Sequence, residues 1–203
     1  MINHLISYLK DRKQYIKIGN IKSIIKFLKD IGVPQGSILG PLLFLIYIND
    51  IFDLEIEGMM CLFADDLSLV IQHKNILKLN EIVNSTMDQL VAYFNKNKLV
   101  LNVQKSNYIL IGTEKPDFLV KYNQELVKQC QNVKILGVIF DNKLGFAEHL
   151  NVVSNKVAKT VGAMSRVRHF LPTNVLNILY KSLIVPQMTY GCCLWGFTYN
   201  PKA

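Results

Sequence analysis

Asp65 and Asp66 stand side by side in Cys-Leu-Phe-Ala-Asp-Asp-Leu-Ser-Leu-Val, residues 61–70. Carboxylates seldom border apolar strand residues without something to hold. An adjacent pair suits a divalent cation such as Mg²⁺, which takes carboxylate and water oxygens at about 2.0–2.1 Å and keeps positions open for phosphates. The same dipeptide also serves in ordinary acidic β-turns, where Asp is common. Successive strand side chains point to opposite faces, so the two carboxylates are expected to have unequal roles.

A second group of chemically useful residues is Gly32-Val33-Pro34-Gln35-Gly36-Ser37-Ile38-Leu39-Gly40-Pro41. Its glycines permit close backbone approach to a ligand, and a loop that feeds a helix start can direct N–H groups at phosphates or bases. Gln35 offers both donor and acceptor to a base or sugar edge. A structural loop capped by Ser37 would use the same residues.

The elements that must position these groups follow from periodicity. Met59 to Gln72 reads as two strands with Asp65-Asp66 at the turn, since Met60, Leu62, Leu67, Leu69 and Ile71 alternate along the arms. Pro41 suits the first turn of a helix reaching about Ile51, apolar on most faces and so expected to be buried. Upstream, Gln14 to Leu28 flanks Gly19-Asn20 as a plausible hairpin. From Asn75 to Asn97, Ile76, Leu79, Val83, Met87, Leu90, Val91 and Phe94 recur at helical spacing, a core stripe and nothing more. Tyr108 to Ile111 and Val133 to Phe140 predict further strands, the second ending at the turn signal Asp141-Asn142. Helices are predicted over about Phe146 to Phe170 and Thr173 to Val185, parted by Pro172, the first carrying Lys156, Lys159, Arg166 and Arg168.

Composition bounds the reading. Of 203 residues, half are hydrophobic and 19% charged, which excludes intrinsic disorder and leaves material for one main body. A formal charge of +8 favours polyanionic partners, although the charges are dispersed and a solvated basic face has the same composition. Cys61, Cys130, Cys192 and Cys193 lack metal-ligand spacing, which fits a reducing compartment. The apolar run Pro41 to Ile48 is too short to span a bilayer and Met1 to Lys13 lacks a signal-peptide core, so an intracellular protein is expected.

Gly-Val-Pro-Gln-Gly-Ser-Ile-Leu-Gly-Pro-Leu-Leu-Phe-Leu-Ile-Tyr-Ile-Asn-Asp, followed by Phe-Ala-Asp-Asp, closely resembles two palm motifs of reverse transcriptases from jockey-like non-LTR retrotransposons. The likeness continues through Asn97-Lys98-Leu99, Leu101-Asn102 and Lys105-Ser106, similar to the family's lysine motif. Ile135-Leu136-Gly137-Val138, with Leu144 and His149, is similar to its primer grip. Ser7-Tyr8-Leu9 with Arg12 resembles the stretch ahead of the glycine loop, and Leu179-Tyr180, Pro186, Tyr190-Gly191 and Trp195-Gly196 resemble the thumb.

What the resemblance implies is an α+β fold: a right-hand polymerase palm, with an antiparallel sheet packed on helices, followed by a small helical thumb. Residues 1–31 would be a remnant of fingers and palm, 32–145 the palm proper and 146–203 the start of the thumb. The implied chemistry is RNA-directed DNA polymerisation on an RNA template and DNA primer, using dNTPs and two Mg²⁺ ions about 3.5–4 Å apart. Asp65 would be the direct metal ligand and Asp66 would support it. Pro34, Gln35 and Gly36 would line the nucleotide and template pocket, and Lys105 would neutralise or protonate the departing pyrophosphate. Phe63, Ala64, Leu136 and Gly137 would contact the primer. For Cys192, Cys193 and His149 no catalytic role is expected; the cysteines are read as apolar packing near Trp195 and the histidine as structural.

The chain also departs from the family pattern. A further metal-binding Asp, usual in an Ala-Phe-Asp context on an earlier palm strand, has no counterpart here, since Asp11 and Asp30 lie in unlike contexts. The residue that excludes a ribose 2′-hydroxyl and the amino-terminal endonuclease are expected to be missing with it. Little or no polymerase activity is therefore expected of this chain by itself, and an unpaired strand edge beside the Asp hairpin. The alternatives are a catalytically dead remnant that grips primer and template, or a relic without function.

Overall fold

A computed structural model describes residues 2–28, 32–112 and 118–197; Asp30 and the ends of the two outer expected segments, 29–31 and 198–203, lie outside the described residues. The chain divides into two compact units, residues 1–70 and 71–203. Both mix helix and strand, as the α+β reading requires. Among the described residues the strands form six two-stranded pairs, five antiparallel and one parallel, rather than one continuous sheet.

The first unit begins with α1 (Ile2–Leu9) and a long hairpin. Its outer pair is β1 (Lys13–Gln14) with β4 (Lys26–Phe27), and its tip is β2 (Lys17–Ile18) with β3 (Ile21–Lys22). Gly19 takes φ +58° at the first position of the two-residue turn, where glycine avoids the Cβ penalty. Ser23 bridges the irregular stretch between the two pairs: its N–H donates to the Ile16 carbonyl at 2.9 Å and its Oγ accepts from the Ile16 N–H at 2.9 Å.

Next come α2 (Leu39–Ile48) and a 3₁₀ turn over Asn49–Asp53, then the hairpin of β5 (Met59–Phe63) and β6 (Asp66–Val70). Pro41 sits in the first turn of α2, as its missing N–H allows. The expected all-round burial of this helix is not observed: Gly40 and Ile48 are buried, while Leu42, Leu45, Ile46 and Tyr47 are exposed. An apolar helix is covered only where another element lies against it, and periodicity carries no information about that coverage.

The second unit is built on two 21-residue helices, α3 (Ile76–Lys96) and α4 (Ala147–Val167). Asn75 caps α3, its side-chain oxygen accepting from Leu77 N–H at 2.8 Å and Lys78 N–H at 3.4 Å. The predicted stripe turns inward at Met87, Leu90 and Phe94, joined by Tyr93 and Thr86. Short strands follow: β7 (Asn107–Tyr108), β8 (Lys121–Tyr122), β9 (Glu125–Leu126) and β10 (Lys128–Gln129). Asn84 of α3 holds β8 as a neighbouring strand would, donating to the Leu119 carbonyl at 3.0 Å and accepting from Lys121 N–H at 3.1 Å.

Val133 to Phe140, predicted as one strand, is two: β11 (Asn132–Ile135) and β12 (Val138–Asp141). Leu136 and Gly137 both take positive φ, +46° and +93°, the signature of a tight hairpin turn that apolar alternation conceals. α4 packs against β12, and beyond a 3₁₀ turn at Arg168–Phe170 come α5 (Thr173–Leu179), a π-helical turn (Tyr180–Ile184), α6 (Val185–Thr189) and α7 (Cys192–Trp195).

The loop between β12 and α4 is organised by Asp141. Its carboxylate accepts from Lys143 N–H at 3.0 Å, Gly145 N–H at 2.9 Å and Phe146 N–H. Burial pushes the carboxyl pKa up, but those N–H groups outweigh it and the group titrates below the ordinary 3.8. The stabilisation is thus complete above the ordinary value and is lost as pH falls through the lowered one. Asp141→Asn should therefore flatten the acid limb of a stability profile measured below pH 4 by urea unfolding, with a smaller change at pH 7.

Candidate functional site

The β5–β6 hairpin places the two carboxylates unequally. Leu62 pairs with Leu67 and Met60 with Leu69, so these four share the half-buried face. Phe63 pairs with Asp66, which puts Asp66 on the opposite, exposed face at the first position of β6. The turn is therefore Ala64-Asp65 rather than the expected Asp65-Asp66. Ala64 takes φ +53°, a conformation in which a Cβ is penalised and glycine is the usual occupant. This backbone holds Asp65 at the exposed tip, one residue from Asp66.

The glycine loop lies in the same unit. Ser37 N–H donates to the Pro34 carbonyl at 3.3 Å, closing a turn over Gln35 and Gly36, and Gly36 takes φ +78°, which calls for glycine at the third turn position. Gln35 and Gly36 are exposed and Pro34 is half-buried. Ser37 fixes the loop to the helix as expected of a cap: its Oγ donates to the Pro34 carbonyl at 2.7 Å, accepts from Gly40 N–H at 3.2 Å and hydrogen-bonds the Tyr8 hydroxyl.

Lys105, Leu136 and Gly137 belong to the second unit. Lys105 is exposed in a turn whose N–H groups converge on Asn102: Lys105 N–H donates to its carbonyl at 3.1 Å and its side-chain oxygen at 3.2 Å. The Leu136-Gly137 turn is held by a residue that received no individual role from the sequence. The Tyr190 hydroxyl donates to the Leu136 carbonyl, and a Cβ added to Gly137 would lie 3.3 Å from Tyr190 Cε1. Trp195 Nε1–H in turn donates to the Tyr190 carbonyl at 3.0 Å. The only sequence signal for this contact was the aromatic-glycine pair Tyr190-Gly191; its partner is 54 residues away in the chain.

His149 supports the same hairpin, in keeping with its structural reading. It is 4% exposed, its Nδ1 accepts from Ile139 N–H at 3.3 Å, and its ring meets that of Trp195 edge-on at 5.5 Å. Burial lowers its pKa, which favours the neutral ring. Cys192 and Cys193, expected in apolar packing, are instead both exposed on α7, a four-residue helix with no buried residue.

Among the described residues there is no group of three or more His, Cys, Asp or Glu that could hold a metal ion, and no helix long and apolar enough to cross a membrane. Asp65 and Asp66 offer hard carboxylate oxygens of the type Mg²⁺ accepts, with open solvent positions around them. They fit a cation that completes its shell with water and substrate oxygens.

Comparison with known proteins matches residues 4–140 to the family described as reverse transcriptase (RNA-dependent DNA polymerase). The chain is 26% identical over 203 residues to the RNA-directed DNA polymerase from mobile element jockey of Drosophila melanogaster, covering 94% of this chain and 22% of that protein. To the probable RNA-directed DNA polymerase from transposon X-element of the same species it is 28% identical over 201 residues, covering 95% of this chain and 22% of the relative. A Pol polyprotein from the type-1 retrotransposable element R1 of Bradysia coprophila is 28% identical over 204 residues, with 94% and 20% covered. The chain thus spans about a fifth of the length of these relatives. No solved structure matches it significantly.

Proposed function

From a chain that belongs to the reverse transcriptase (RNA-dependent DNA polymerase) family, as a domain of the non-LTR retrotransposon type, we propose a contribution to template-directed addition of deoxynucleotides to a primer end. The observation that carries this reading is the β5–β6 hairpin, which sets Asp65 at an exposed tip and Asp66 on the face away from the apolar side. A palm comprising residues 32–145 and a thumb beginning near 146 would provide the frame.

Asp65 and Asp66 would hold Mg²⁺, Asp65 directly and Asp66 in support. When bound there, such a cation lowers the pKa of a hydroxyl and neutralises charge on a transferring phosphoryl group. The small Ala64 side chain leaves room beside the carboxylates for a primer end, and Phe63 offers an exposed ring to its terminal nucleotide. Pro34, Gln35 and Gly36 would present their turn, with the exposed Gln35 amide, to the nucleotide and template. Lys105, exposed and cationic, would donate a proton to the departing pyrophosphate or neutralise it. Leu136 and Gly137 would bear on the primer, held in their turn by Tyr190.

Two carboxylates are few oxygen donors for a pair of cations, so slight activity is proposed for the 203-residue polypeptide alone. Primer extension on poly-rA primed with oligo-dT, with Mg²⁺ and dTTP, tests this. Incorporation should rise when a longer polypeptide adds a third palm carboxylate. A longer polypeptide as inert as this one would remove the polymerase reading and leave nucleic-acid binding, the second function that the basic charge favours.

A further inference from the structure

The hairpin of residues 12–28 plays no part in the chemistry above, yet its surface is unusual. Arg12, Lys13, Lys17, Lys22 and Lys26 occur in it without a single carboxylate. Cross-strand pairing sets Lys13 beside Phe27 and Lys17 beside Lys22, and Lys22 also reaches Tyr15, which gives the hairpin a face of cations and rings. Lys17 lies directly opposite Lys22, an arrangement that destabilises a bare hairpin. Two ammonium groups rest on the aromatic rings of this face: Lys13 Nζ lies 4.9 Å from the Phe27 centroid and Lys22 Nζ 5.4 Å from that of Tyr15. Those rings are themselves 74% and 49% exposed.

Opposed cations that repel one another gain from a polyanion lying between them, and exposed rings beside them accept bases. We infer that this face is a docking surface for a single nucleic-acid strand, its phosphates on Lys13, Lys17 and Lys22 and its bases stacked on Tyr15 and Phe27. A stacked base displaces the ammonium from the ring toward the neighbouring phosphate, so charge and stacking act together. A single strand fits better than a duplex, whose bases are already stacked inside. The inference rests on the reading of the chain as a domain that works on nucleic acid, and assigns one surface to that work.

The test is fluorescence anisotropy of the 203-residue chain with a labelled 20-nucleotide DNA single strand and its duplex, across a range of salt. Lys13→Gln, Lys17→Gln and Lys22→Gln together should weaken single-strand binding at least about tenfold near 0.1 M salt and reduce the log–log salt slope by about 2. Tyr15→Leu with Phe27→Leu should weaken it while leaving the slope unchanged. Lys74→Gln, Lys78→Gln and Lys128→Gln provide an equal loss of charge elsewhere. A lysine effect no greater than this control, or a larger loss on the duplex than on the single strand, overturns the inference. Asp65→Asn, assayed in a polypeptide long enough to extend a primer, separates the two proposals: extension lost there while the hairpin variants bind normally leaves the polymerase reading intact and removes this one.

Discussion

Asp65→Asn is expected to lower metal-dependent primer extension sharply while primer–template binding persists. Asparagine keeps the size and one acceptor oxygen but removes the charge with which the proposed ligand would hold a hard cation. The charge stabilisation at stake is several kcal/mol, so incorporation should fall roughly 10²–10³-fold. The comparison belongs in a polypeptide long enough to show activity, with dTTP incorporation and anisotropy measured on the same preparations. Because the side chain is exposed at the hairpin tip, folding should be unaffected. Extension retained within about threefold of the parent, a difference of less than 1 kcal/mol, would show that Asp65 is no metal ligand.

The largest structural effect is expected from Gly137→Val. A β-branched residue at φ +93° is strained, and its Cβ would lie 3.3 Å from the Tyr190 ring before its methyl groups are considered. Backbone strain of this kind costs about 1–3 kcal/mol, and displacing the ring also releases the hydroxyl from the Leu136 carbonyl. Urea unfolding followed by fluorescence reads this directly. Trp195 is the single tryptophan and its indole N–H is bonded to the Tyr190 carbonyl. Tyr190→Phe removes the hydroxyl alone and should cost about 1 kcal/mol. Equal unfolding midpoints for Gly137→Val and the parent would mean that the turn tolerates the side chain and the Tyr190 contact does not constrain it.

What could be read from the sequence depended on the range of the interaction that decides each element. α3 was legible along its length because the Ile76–Phe94 stripe acts within a few residues, although the Asn75 cap was seen only in the structure. The Asp hairpin was legible in its alternation but not in its register. Pairing of Phe63 with Asp66 required Ala64 to enter a glycine-like conformation, for which residue type gave no warning. Leu136-Gly137 was overlooked as a turn for the same reason: leucine at positive φ is uncommon, and the contact that holds it comes from Tyr190. The residues of the candidate site were legible only through likeness to a family, since a carboxylate pair and a lone exposed lysine are commonplace by themselves. The exposed flank of α2 and the aromatic seats of Lys13 and Lys22 follow from tertiary placement, beyond the reach of periodicity.

The π-helical turn at Tyr180–Ile184 sets the rotational phase of everything after it. A π turn accommodates one residue more than an α turn, so the helical faces on either side are out of step by the angle of one residue, about 100°. Tyr190 reaches Leu136 with that extra residue in place. Deleting Ser182 would remove the extra residue, and the segment from Pro186 to Tyr190 would swing by that angle relative to α5. A one-residue deletion outside the turn should thus uncouple Leu136-Gly137 as completely as a substitution within it, whereas a compensating insertion before Pro186 should restore it. Spacing along this helix, more than the identity of Ser182, is what connects the far end of the chain to the hairpin.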